Sequence, residues 1–143
     1  MEFNYGGHSV YKTQYHVVWV TKYRRKTLNS GFASYTKQVV LEIISKIDGI
    51  KVEEINVQVD HVHMLINIPP KYAVSKIIEI IKSQSTKIIR GRFEWFDKVY
   101  YGTNSFWSTG YFVSTVGINE EIIRRYVKYQ QKQNSGQAML EFS

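Results

Sequence analysis

Between Asp60 and Pro69 the chain reads His-Val-His-Met-Leu-Ile-Asn-Ile, and every second residue (Val62, Met64, Ile66, Ile68) is large and apolar. Strict alternation over such a run is the mark of a β-strand with one face in a core. Pro69-Pro70 stops it, because proline cannot donate to a strand ladder. The strand has an apolar face for the core and a second face that carries His61 and His63. The rest of the chain must supply a sheet around it and a cover for the apolar side.

The neighbouring patterns do so. Tyr15 to Thr21 is β-branched and aromatic, and reads as a strand. The basic group Lys22, Arg24, Arg25 and Lys26 follows it. From Gly31 to Asp48 the apolar residues Phe32, Tyr35, Val39, Val40, Ile43, Ile44 and Ile47 recur at threes and fours, which predicts a helix ended by Asp48-Gly49. Residues 51–59 read as another strand, with Asp60 near the turn into the histidine strand. A second helix runs over Ala73 to Arg90, and Trp107 to Val116 supplies a last strand broken by Gly117. Asn119 can cap a final helix to about Gln133, whose first-turn Glu120 and Glu121 suit its positive end. Residues 1–14 read as an irregular lead-in. The order β-α-β-β-α-β plus a helix is the ferredoxin-like, split βαβ arrangement: an α+β fold with an antiparallel sheet and both helices on one face.

The 143 residues, 43% of them hydrophobic, suit one domain with its own core, about residues 11 to 133, and a loose tail from residue 134. No repeat or linker divides them. No apolar run is long enough for a membrane span, and the first twenty residues lack the layout of a signal peptide. Without cysteine there is no disulfide, no thiolate chemistry and no sulfur-built zinc site, which fits a cytoplasmic protein. The net charge of +7 points to polyanionic partners, nucleic acid first.

Residues two apart on a strand project from the same face, so His61 and His63 stand together, their bases about 7 Å apart. Two such imidazoles either bind one metal ion or are structural histidines satisfied by hydrogen bonds. In the last helix, Arg124-Arg125-Tyr126-Val127-Lys128-Tyr129-Gln130 places Tyr126 and Gln130 one turn apart on one side. A phenol is a weak nucleophile at neutral pH, and a divalent cation helps it by polarising a phosphate ester and by favouring the phenolate. The plain alternative is that Tyr126 belongs to the apolar stripe of Ile122, Ile123 and Val127.

Several stretches together resemble the HUH-type single-tyrosine transposases of the smallest bacterial and archaeal insertion sequences. They are YHVVWVTKYRRK (15–26), VDHVHMLINIPPKYAVSK (59–76), FWSTGYFVSTVG (106–117) and YVKYQ (126–130), in the family's order over nearly the whole chain. His61-Val62-His63 fits the His-hydrophobic-His signature. The resemblance implies that Tyr126 attacks a phosphate of single-stranded DNA and forms a 5′-phosphotyrosine link. His61, His63 and Gln130 would hold Mg2+ or Mn2+. Asp60 would orient a histidine or a metal-bound water, or serve only the turn. It also implies DNA hairpins at the element ends as ligands, and a homodimer in which the tyrosine helix of one subunit completes the other's site. Gly117 lies where that helix would need a hinge. Lys22, Arg24, Arg25, Lys26, Lys87, Arg90 and Arg92 are candidates for phosphate contacts. Tyr129 is the competing nucleophile, but it points about 100° away from Gln130 around the helix, against about 40° for Tyr126. Two rival readings remain: a domesticated relative that processes palindromes, and a non-catalytic RNA-binding module of the same strand order.

Overall fold

A computed structural model describes residues 4–6, 9–11, 13–22, 30–93, 106–115 and 117–134. A small hairpin, β1 (Asn4–Gly6) and β2 (Ser9–Tyr11), opens the chain where the sequence reads as irregular. The main elements follow as β3 (Gln14–Val20), α1 (Ser30–Ser45), β4 (Lys51–Val57), β5 (His61–Asn67), α2 (Val74–Arg92), β6 (Phe112–Ser114) and α3 (Glu120–Asn134). Strands β4-β5-β3-β6 form one four-stranded sheet, antiparallel at each pairing. A four-stranded antiparallel sheet with helices is the architecture that the element sequence predicts.

The period-two pattern sorts the sheet into two faces. On one, Val17 and Trp19 of β3 and Val62, Met64 and Ile66 of β5 are fully buried beneath α1 and α2. Val39, Val40, Ile43 and Ile44 of α1 and Ile77, Ile78, Ile81 and Ile89 of α2 complete that core. Each such side chain contributes roughly 1.5–3 kcal/mol on leaving water. The other face carries a separate, smaller apolar cluster. There Val18 and Val20 of β3 meet Tyr126 and Val127 of α3, with Phe112, Ile118, Ile123 and Tyr129 packed around them. The third helix therefore lies on the face that α1 and α2 leave bare.

Two boundaries differ from the sequence reading. Regular helix in α1 stops at Ser45, and residues 46–49 continue as turns that close on Gly49 at φ 84°. That left-handed conformation favours glycine, and a Cβ there would come within 3.0 Å of Pro69. The last strand is shorter than the apolar run from Trp107 to Val116. Trp107 makes one bridge to Thr21, the chain turns at Gly110 with φ 92°, and only Phe112–Ser114 pairs with β3. A left-handed glycine cannot continue a pleated strand. The capping expectation holds, since the Asn119 side-chain oxygen accepts the Ile122 N–H at 3.0 Å.

Trp107 is buried, stacks edge-on with Trp19 and Phe106, and donates its indole N–H to Ser85 of α2 at 2.8 Å. This bond fixes the segment leading into β6. Ser85→Ala removes the acceptor from a dry site and is expected to lower unfolding free energy by about 1–3 kcal/mol, read from urea denaturation followed by tryptophan fluorescence.

Candidate active site

His61 and His63 share the face opposite α1 and α2, as their spacing predicts. The pairing register sets their surroundings. On β3, Val20 stands opposite His61 and Val18 opposite His63; on β4, Asn56 stands opposite His63. Both imidazoles are half-buried. His61 is oriented by Asp60, whose carboxylate lies 2.9 Å from Nδ1. Asp60 is itself buried in the β4–β5 turn, and its carbonyl accepts the Thr21 N–H at 3.0 Å. With Nδ1–H donated to the carboxylate, Nε2 of His61 keeps its lone pair.

His63 is pushed below the usual imidazole pKa, first by burial and then by the neighbouring His16 and His61, while Glu54 opposes the shift. Glu54 reaches this face in phase with Asn56, standing opposite Leu65, while an irregularity between Val52 and Glu54 turns Val52 to the core side opposite Ile66. Glu53 beside it accepts a hydrogen bond from the Asn67 amide at 2.7 Å. The irregularity lines a cavity of about 560 Å³ that includes Glu53, Glu54, Asn56, His63 and Leu65. Imidazole nitrogens with oxygen donors close by fit a divalent cation chemically. Among the described residues, however, no three His, Asp or Glu side chains converge tightly enough to hold one as they stand.

Tyr126 is 4% exposed and packs on Val18, Val20 and the Phe112 ring, whose centroid is 5.9 Å away. Those valines are the register partners of His63 and His61. One inter-strand step, about 4.8 Å, thus separates the strand under the phenol from the strand bearing the imidazoles. Burial pushes the phenol well above its usual pKa, and Tyr129 adds to the shift. Gln130, one turn on, is 3% exposed and donates its amide to Ser108 Oγ at 2.9 Å and to the Thr109 carbonyl at 2.7 Å. In this placement of α3 the amide nitrogen of Gln130 is engaged by residues 108–109. The same segment is gripped from the other side by Lys82 of α2, which donates to the carbonyls of Ser108 at 2.6 Å and Gly110 at 2.7 Å. Burial lowers the Lys82 ammonium to about 8. Gly117, between β6 and α3, is exposed; a Cβ there would meet nothing, so its surroundings impose no requirement for glycine.

The basic candidates divide. Lys87, Arg90 and Arg92 are exposed on the C-terminal half of α2. Lys22 lies at the end of β3 with its N–H on the Phe106 carbonyl at 2.9 Å. Arg24, Arg25 and Lys26 fall outside the described residues.

Two side chains escape sequence reasoning. Lys82 looks like any surface lysine, and its acceptors lie 26 and 28 residues away. His16 stands alone in its strand, yet its phase with Val18 and Val20 puts it on the face of His61 and His63. That alternation was the available signal.

The comparisons with known proteins bear on the family and the fold. Residues 9–130 match the family model "Transposase IS200 like". The transposase for insertion sequence element IS200 of Salmonella typhimurium is 33% identical over 126 residues, covering 86% of this chain and 80% of that protein. The ISDra2 transposase TnpA of Deinococcus radiodurans is 28% identical over 131 residues, covering 91% and 92%. A crystal structure from Deinococcus radiodurans R1, assigned as a transposase, superposes with a TM-score of 0.79 at 26% identity over 89% of this chain and 97% of that one. A REP-associated tyrosine transposase bound to a REP hairpin shares the fold, with a TM-score of 0.55 at 13% identity over 93% of this chain and 73% of that one. The chain belongs to the IS200-like transposase family. Among the described residues, no helix is long and apolar enough to cross a membrane.

The electrostatics of His63 can be checked directly. In an NMR titration its ring is expected to protonate with a midpoint below 6.5. Since Glu54 holds the value up, Glu54→Gln should move that midpoint lower still; a midpoint at or above 6.5 would contradict the burial.

Proposed function

We propose that this transposase cleaves and rejoins single-stranded DNA at the ends of its element through a 5′-phosphotyrosine intermediate formed on Tyr126. The observation that carries the reading is the docking of Tyr126 on Val18 and Val20, the partners of His63 and His61 on the same sheet face. The phenol oxygen forms a bond to the scissile phosphorus, the bond from phosphorus to the 3′ oxygen breaks, and the phenol proton ends on the released 3′-OH. That hydroxyl can later attack the phosphotyrosine and restore a phosphodiester, so bond energy is conserved and no nucleotide cofactor is needed.

His61 and His63 would hold a divalent cation, Mg2+ or Mn2+, with Gln130 as a further ligand once it leaves Ser108 and Thr109. When bound, that ion supplies charge stabilisation at the scissile phosphate. Asp60 fixes the His61 ring so that Nε2 faces outward, a positioning task. The burial of Tyr126 and the engagement of Gln130 support a resting arrangement from which α3 must shift before attack. A homodimer in which each α3 completes the partner's site, with Gly117 as the hinge, is the arrangement we infer for the working enzyme. The exposed Lys87, Arg90 and Arg92 suit phosphate contacts with a DNA hairpin, and the fold is one that a relative uses with a REP hairpin bound. A base-stacking RNA module is disfavoured: it would present aromatics on the open sheet face, where α3 instead buries Tyr126.

Mixing the protein with labelled single-stranded element ends and Mn2+ should give a covalent band that survives denaturation, with none from the duplex of the same sequence. Tyr126→Phe is expected to abolish that band while hairpin binding in gel shift stays within about twofold. A surviving adduct would move the nucleophile's role to Tyr129 or another tyrosine.

The subunit arrangement has its own test. Co-refolded Tyr126→Phe and His63→Gln proteins, each inactive alone, should recover about a quarter of wild-type cleavage if the helix serves the partner's site. Homodimers that work only in cis would recover none.

A further inference from the structure

The His61-Val62-His63 motif does not exhaust the imidazoles on the open sheet face. His16 of β3 stands opposite Leu65 of β5, which makes it the diagonal neighbour of His63. Its Nδ1 lies 3.4 Å from His63 Nε2, with ring centroids 5.6 Å apart and planes inclined by 29°. A contact of this length serves two purposes. One ring can donate a proton to the other, or both lone pairs can turn onto a single ion. With metal–nitrogen bonds of about 2.1 Å, donors 3.4 Å apart subtend about 108° at the ion, close to the tetrahedral angle and open to relaxation toward an octahedral one. His61, with Nδ1 held by Asp60, keeps Nε2 for an ion. His16 and His63 supply a pair of ring nitrogens already at ligand spacing, and one of them lies outside the motif.

We propose that His16 is a third imidazole of the metal centre and binds the divalent cation together with His63, the two ring nitrogens already standing at ligand spacing. This rests on the metal-site reading above and extends it. His61 contributes Nε2 with its Nδ1 still held by Asp60, and water or a phosphate oxygen fills the remaining positions. A donor set this rich in nitrogen favours Mn2+, Co2+ or Zn2+ over Mg2+, which keeps to oxygen.

The test uses the full chain without DNA. His16→Asn keeps a side-chain amide near the position of Nδ1, so it can still hydrogen-bond to His63 but removes the imidazole ligand. Mn2+ titrated calorimetrically should bind this variant about tenfold or more weakly than wild type, and electron spin-echo spectroscopy of bound Mn2+ should show one fewer coupled nitrogen. Unchanged affinity and an unchanged nitrogen count would overturn the proposal and leave His16 as a ring that only orients His63. A measurement on wild type guards against misfolding of the variant. With Zn2+ as a diamagnetic probe, the ring nitrogen signals of both His16 and His63 should move to metal-bound positions; a shift at His63 with His16 unmoved overturns the proposal. His63→Gln is the control that separates the two readings. If it too binds Mn2+ as wild type does, the metal site itself is refuted, not the part of His16 alone.

Discussion

The pairing of β3 with β5 is the interaction on which everything else depends. Seven residue pairs, from Gln14 with Asn67 to Val20 with His61, fix one register. Because side chains alternate, a slip of one residue would turn Val62, Met64 and Ile66 to the open face and drive the histidines into the core. The cost of exposing those apolar groups holds the register. The placement of imidazoles opposite Val18 and Val20 is thus enforced by hydrophobic burial on the far side of the sheet. The candidate site is positioned by a core that contains none of its atoms.

Tyr126 shows a conflict built into that arrangement. To dock α3, the phenol ring covers Val18, Val20 and Phe112, and burial raises the energy of its charged form. In the proposed mechanism, the group that packs the helix on the sheet is also the one that must become an anion to react. A cation held by the imidazoles on the adjacent strand would reverse that penalty. Gln130 carries the same tension, since its amide now satisfies Ser108 and Thr109. In the proposed mechanism both residues trade structural for chemical partners.

Much of this was legible in the sequence, for local reasons. The β5 alternation, the stripes of α1 and α2, the Asn119 cap and the shared face of His61 and His63 are all set by spacing along a single element. The failures are non-local or conformational. The run from Trp107 to Val116 has strand composition, but Gly110 bends it and Ser108 and Gly110 give their carbonyls to Lys82. His16 meets His63 across 47 residues of chain, a neighbourhood that exists only once the strand register does. The partners of Gln130, 21 and 22 residues away, depend on how that bent segment packs. Glu54 faces the open side by plain alternation with Ile55 and Val57; the break of phase at Val52, three residues before Ile55, marks the irregularity.

The two apolar clusters do not share residues: one joins α1 and α2 to the sheet, the other joins α3 to it. The smaller has Val18, Val20, Tyr126 and Val127 as its buried members. Displacing α3, as the proposed mechanism requires, would open the smaller cluster and release Gln130 while the larger core stays packed, at a cost below that of global unfolding. The candidate tyrosine thus sits on the element whose attachment is independent of the main core.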